Sequence, residues 1–220
     1  MLGNVLPVRV LTLRLIPNLS PGLAKALGLD GRYRAVGLIS TDSDDVTYMA
    51  LDEATKTANV DVVYARSLYA GAANASTALA GEVIGVLAGP TPAEVASALR
   101  GAEAFLASGV GFRTANVAGD VVYLAHCVSR TGTYLSEIAD VPQGQALAYL
   151  VAPPVEAIEG LDAALKASDV ELRQFFAPPT ETNFSGGLLT GTQSACQAAC
   201  DAFAQTVIEV AARPKDLGGM

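Results

Sequence analysis

Val8 to Leu15 alternates apolar with polar or charged residues, a period of two that predicts a β-strand. Ser20-Pro21 then places a capping residue before a proline at the first helical position, which predicts a short helix to about Leu27. A second strand is expected from Ala35 to Ser40. Leu51, Ala54, Thr55 and Ala58 follow at i, i+3, i+4, i+7 spacing, the apolar stripe of a helix. Val60 to Tyr64 and Val83 to Ala88 read as the third and fourth strands. Thr91-Pro92-Ala93-Glu94 is a capping box, and the helix it opens has Val95, Leu99, Ala102 and Leu106 on one face.

The same order then returns. Strands are expected over Asp120 to Cys127, Ala146 to Val151, Val170 to Phe175 and Gly187 to Thr190, and helices over Thr133 to Ile138, Val155 to Ala167 and Ser194 to Ala211. The sequence itself repeats: Leu51-Asp52-Glu53-Ala54-Thr55-Lys56 reappears as Leu161-Asp162-Ala163-Ala164-Leu165-Lys166, 110 positions later in a chain of 220 residues. A unit of this size is a domain, because solenoid repeats run roughly 20–50 residues. Two α+β domains are therefore expected, 1–112 and 113–220.

Composition narrows what such a pair can do. Apolar residues make up 51% of the chain and charged residues 16%, and this surplus of apolar surface favours burial against further protein. No uninterrupted apolar run approaches the roughly 20 residues that cross a bilayer, so no membrane span is expected. The net charge of −8, with no basic stripe and no Trp, argues against a nucleic-acid partner. Three cysteines fit a reducing cytoplasm better than a disulfide scaffold. Cys196 and Cys200 stand one helical turn apart and read as core residues. The single histidine, His126, has no carboxylate placed to orient it for a triad. No nucleotide loop is present, so neither a cofactor, a metal nor a catalytic residue is expected.

The candidate chemistry lies in acid. Between Arg34 and Lys56 there is no basic residue, while Asp42, Asp44, Asp45, Asp52 and Glu53 crowd together. At the repeat offset Asp42, Asp44 and Asp45 meet Ala152, Pro154 and Val155. Glu82 opens a strand where the second copy is read as having Gly186 and Gly187. Clustered carboxylates repel and are most readily held together by a cation. Asp44, Asp45 and Glu82 are thus candidates to receive a protonated amine. The bland reading is a solvated acidic loop before a helix. Two or three charge-assisted hydrogen bonds of ~1.5–3 kcal/mol each would support roughly millimolar binding.

Longer motifs carry a family resemblance. Gly37-Leu38-Ile39, Lys56-x-Ala58-Asn59-Val60, Gly81-Glu82-Val83 and Gly89 with the capped Ala-rich helix resemble the bacterial microcompartment shell domain. A strand and helix that close that domain come first here, as in its circularly permuted variant. Ser40-Thr41-Asp42-Ser43-Asp44-Asp45-Val46, Tyr64-Ala65-Arg66-Ser67-Leu68-Tyr69, Ser129-Arg130-Thr131-Gly132-Thr133-Tyr134 and Pro178-Pro179-Thr180-Glu181-Thr182-Asn183-Phe184 are similar to its ethanolamine-utilisation branch. The resemblance implies two tandem permuted shell domains, each a four-stranded, mainly antiparallel sheet with flanking helices. It implies a homotrimer imitating a six-domain hexagonal tile, packed with other shell proteins in a microcompartment of the cytoplasm. It also implies pores, with ethanolamine as a pore ligand, and makes cobalamin a candidate partner. Phe112 and Phe184 are then expected beside the amine site and Tyr69 at a pore rim, although all three aromatics would serve equally as loop anchors. Lys56 and Lys166 are expected at tile edges, or as ordinary exposed helix lysines. A soluble amine-binding module of two ferredoxin-like domains is the alternative reading.

Overall fold

The computed structural model describes residues 3–68, 81–178, 180 and 182–216. The chain forms two compact units: an amino-terminal unit of Val8–Val110 with Gly132–Glu137, and a carboxy-terminal unit of Met1–Pro7, Gly111–Thr131 and Ile138–Met220.

The amino-terminal unit is built on strands β1 (Val10–Ile16), β2 (Ala35–Thr41), β3 (Asp61–Ser67) and β4 (Val83–Gly89), in the order β1-β2-β4-β3 with every pair antiparallel. The inner strands β2 and β4 are near-continuous apolar runs buried along almost their whole length, as a central position requires. Helices α1 (Pro21–Ala26), α2 (Asp44–Thr57) and α3 (Pro92–Leu106) complete it. Glycine sets how close the last two come to the sheet. A Cβ on Gly37 would stand 2.9 Å from Val95, and one on Gly85 2.8 Å from Leu51. The Thr91 side chain accepts the Glu94 N–H at 3.3 Å, and the expected stripe of Val95, Leu99, Ala102 and Leu106 is buried.

The carboxy-terminal unit has the order β5-β6-β7-β9-β8, from β5 (Arg113–Thr114), β6 (Val122–Val128), β7 (Ala146–Ala152), β8 (Val170–Phe176) and β9 (Ser185–Gly191). The ladders are again antiparallel. Helix α4 (Thr133–Ala139) begins among residues of the amino-terminal unit, whereas α5 (Pro154–Ala167) and α6 (Gln193–Ala212) pack here. Phe203 on α6 is fully buried and lies over Gly160 of α5, where a Cβ would sit 2.7 Å from its ring. Cys196 and Cys200 are buried free thiols of this core, and burial pushes the Cys196 thiol up to about 11.

Two local readings change. Asp44 and Asp45 belong not to a loop but to the first turn of α2, where carboxylates suit the positive end of the helix dipole. The two copies are also not offset uniformly. Val83 pairs with Thr41 and Ser185 with Ala152, so the residue standing in for Glu82 is Phe184 rather than Gly186 or Gly187. The loop before β9 is shorter than its counterpart, and counting 110 residues overshoots it.

Asp52 is the most consequential buried polar group of the amino-terminal unit, fully shielded in the middle of α2. Its Oδ2 accepts the Gly132 N–H at 2.7 Å and its Oδ1 the Leu135 N–H at 2.8 Å, and Lys56 Nζ lies 3.6 Å away. Burial pushes its carboxyl above the usual range, against the pull of these two amides and of Lys56. Asp52→Ala strands two buried N–H groups, so urea unfolding is expected to show a loss of about 3 kcal/mol.

Candidate functional site

Four carboxylates meet where β2 runs into α2 and β4 begins, and the fold assigns them different tasks. Asp42 is clamped. Its Oδ1 accepts the Arg9 N–H and its Oδ2 the Arg9 Nε–H, both at 2.7 Å. The partner comes from just before β1, so the stretch that lacks any basic residue in sequence acquires one in space.

Asp44 is buried and held from two sides. Its Oδ1 accepts the Asp45 N–H at 2.9 Å, and its Oδ2 accepts the Ser67 hydroxyl at 2.7 Å from the end of β3. Ser67 Oγ also lies 2.6 Å from the Tyr48 hydroxyl. An ionised carboxylate only accepts, so Ser67 spends its one proton on Asp44 and Tyr48 must donate to Ser67. A Tyr48–Ser67–Asp44 relay results, and it fixes the carboxylate in place. Neither Tyr48 nor Ser67 stood out in the sequence; the signal available was a tyrosine one helical turn beyond Asp44.

Asp45 is half-buried on the next position of α2. Glu82 immediately precedes β4. Its N–H donates to Thr41 O at 2.8 Å, and its carbonyl accepts the Leu68 N–H at 2.7 Å, so its backbone is fixed while its side chain stays exposed. Partial burial, then the charges of Asp44 and Asp42, push the Glu82 carboxyl above its usual range. Burial is the larger cause, and the neighbouring carboxylates add to it.

The aromatic residues belong to the other unit. Phe112 and Phe184 face each other with ring centroids 5.5 Å apart. The Phe184 carbonyl accepts the Thr180 hydroxyl at 2.8 Å, which shapes the turn that presents the ring. Tyr69 lies outside the described residues. The two repeated lysines have different surroundings: Lys56 is mostly covered and pairs with Asp52 and Glu53, whereas Lys166 is exposed and pairs with Asp162.

A concavity of about 440 Å³ in the amino-terminal unit, away from these carboxylates, holds Arg32, Asp30, Asp61 and Glu137. There the arginine is bonded to both aspartates, at 3.0 Å and 3.2 Å. Among the described residues no group of His, Cys, Asp and Glu is arranged to hold a metal, and no helix is long and apolar enough to cross a membrane.

Two α+β units with permuted element order are the architecture of a tandem-domain shell protein of bacterial microcompartments. The BMC domain model matches residues 35–121. The chain is 62% identical to the bacterial microcompartment shell protein EutL of Clostridium perfringens, over 97% of its own length and 99% of that protein. It is 53% identical to EutL of Escherichia coli, over 93% and 94% of the two chains. The crystal structure of the ethanolamine utilization protein EutL from Leptotrichia buccalis superposes with a TM-score of 0.95 at 58% identity, covering 98% of this chain and 100% of that one. The chain belongs to the EutL family of microcompartment shell proteins.

Removing the Ser67 hydroxyl leaves a buried carboxylate oxygen short of its donor. Ser67→Ala is expected to lower unfolding free energy by roughly 1–3 kcal/mol, with far-UV circular dichroism unchanged.

Proposed function

We propose that the protein is a non-enzymatic tile of an ethanolamine-utilisation shell, assembled as a trimer of two-domain subunits, whose acidic cluster receives the protonated amine of ethanolamine at a small pore. The observation that carries the amine reading is the asymmetry between the units. Asp42, Asp44, Asp45 and Glu82 gather in one, and Pro153, Pro154, Val155 and Phe184 stand at the equivalent positions of the other. A charge set needed only for folding would have no reason to be confined to one copy.

In this reading Asp44 is the pre-positioned anion, while Asp45 and Glu82 are the adjustable ones. Phe112 and Phe184 pack on each other in the other unit and are not assigned to this site. Lys166 and Lys56 serve the lateral contacts between tiles, and Tyr69 a pore rim. Membership of the EutL family supports the shell role, and the composition, rich in apolar and poor in charged residues, supports extensive burial against neighbouring protein.

Calorimetric titration of ethanolamine tests the site. Binding in the millimolar range is expected for the intact chain, and at least tenfold weaker binding for Asp45→Ala; equal affinities would remove Asp45 from the site. The pH dependence has a definite sign. A carboxyl raised by its neighbours is more readily protonated, so ethanolamine affinity should fall as pH is lowered through the raised range of Glu82, earlier than for an ordinary glutamate. By linkage, ionised Glu82 destabilises the free protein at neutral pH, because stability is lost as pH rises through a raised carboxyl pKa. Glu82→Gln should therefore melt higher than the parent without ligand while binding ethanolamine more weakly.

A further inference from the structure

Among the described residues, four helices begin after a serine or threonine at the capping position, and three of them use it. Ser20 accepts the Leu23 N–H, Thr91 the Glu94 N–H at 3.3 Å and Thr192 the Ala195 N–H at 3.1 Å. In each, a capping oxygen serves one of the first-turn amides that have no partner inside the helix. Ser43, before α2, is the exception. Its backbone is extended, with φ −152° and ψ 114°, as a capping residue requires, yet its side chain makes no capping bond.

The hydroxyl is not spent elsewhere. Ser43 is only 9% exposed, and its Oγ is shielded from solvent with no hydrogen-bond partner among the described residues. The backbone of Ser43 is fully engaged: its N–H donates to Thr41 Oγ1 at 3.1 Å, and its carbonyl lies 2.9 Å and 2.8 Å from the Thr41 and Thr47 hydroxyls. A buried hydroxyl left in this state is costly, and native structures keep few of them.

The amide that Ser43 would serve is taken by the acidic cluster itself. Asp44 Oδ1 accepts the Asp45 N–H at 2.9 Å, so a carboxylate assigned above to the amine also does the work of a cap. The connection is also particular to this unit. Two residues, Asp42 and Ser43, stand between β2 and α2, where Pro153 alone separates β7 from α5. The clamped aspartate and the idle hydroxyl therefore share a linker that the unit without the carboxylates lacks.

We infer that Ser43 is a positioning residue of the amine site, a reserve cap that takes over the Asp45 N–H when a ligand ammonium draws on the Asp44 carboxylate. The inference rests on the amine reading proposed above and deepens it. As the ammonium takes up Asp44 Oδ1, the bond from the Asp45 N–H weakens, and a half-buried first-turn amide is left underserved. Asp45 is the second residue of α2, a position whose N–H a capping side chain reaches. Rotation about one side-chain bond of Ser43 supplies the acceptor. The hydroxyl that is orphaned in the free protein thus acquires a partner only in the bound one, and the gain appears as affinity.

The test separates a reserve cap from a working one. Thr91→Ala removes a working cap and is expected to lower the melting temperature by several degrees, whereas Ser43→Ala leaves it unchanged without ligand. In calorimetric titration, Ser43→Ala is expected to bind ethanolamine about fivefold more weakly or worse, and Thr91→Ala to bind it as the parent does. A third arm needs no ligand. In an Asp44→Ala background Ser43 already caps, so adding Ser43→Ala there lowers the melting temperature. A ligand-free loss for Ser43→Ala in the parent as large as that for Thr91→Ala overturns the inference, because the serine is then capping from the start. So does the absence of a further loss in the Asp44→Ala background. Equal ethanolamine affinities for Ser43→Ala and the parent also overturn it, and in that case the amine reading survives. A parent chain that binds no ethanolamine overturns both.

Discussion

One buried carboxylate organises the amino-terminal unit. Asp52 gathers the amides of Gly132 and Leu135 and the charge of Lys56 into a site that water does not reach. A lone carboxylate there would be heavily penalised, and the two N–H groups would be as badly off without it. The three interactions are therefore interdependent. They tie a segment more than 75 residues away in sequence to the middle of α2, and Leu135 is buried as a result.

That tie determines what surrounds the acidic cluster. Helix α2 carries Asp52 in its middle and Asp44 and Asp45 in its first turn, so the scaffold that fixes one end also fixes the other. On the same helix Tyr48 reaches both Tyr134 and, through Ser67, the Asp44 carboxylate. Helix, strand end and inserted segment together hold the anions at rest. Repulsion among them is relieved by Arg9 at Asp42 and by protonation of Glu82.

The elements were legible because each obeys a simple period. Alternation marks β1, and apolar runs mark β2, β4 and β7. Prolines after Ser20 and Thr91 mark helix starts, which the structure places at Pro21 and Pro92. The acidic residues were legible as a group because no base interrupts them, but their division of labour was not. Arg9 is distant in sequence from Asp42, and nothing in a linear reading distinguishes the clamped Asp42 from the relayed Asp44. The equivalence of Glu82 and Phe184 was hidden for a different reason: insertions accumulate in loops, so a constant offset fails where ladder register succeeds. The place of residues 132–137 in the amino-terminal unit depends on backbone amides, those of Gly132, Thr133 and Leu135, and backbone amides have no sequence signature.

Confining the carboxylates to one copy has a geometric consequence. Around any closed ring of such chains, anionic and aromatic stations would take turns, one acidic station for every two domains. A ring of identical single domains could never do this, since every station would carry the same charge. Duplication followed by divergence thus lets one chain carry two kinds of station, each free to change without the other.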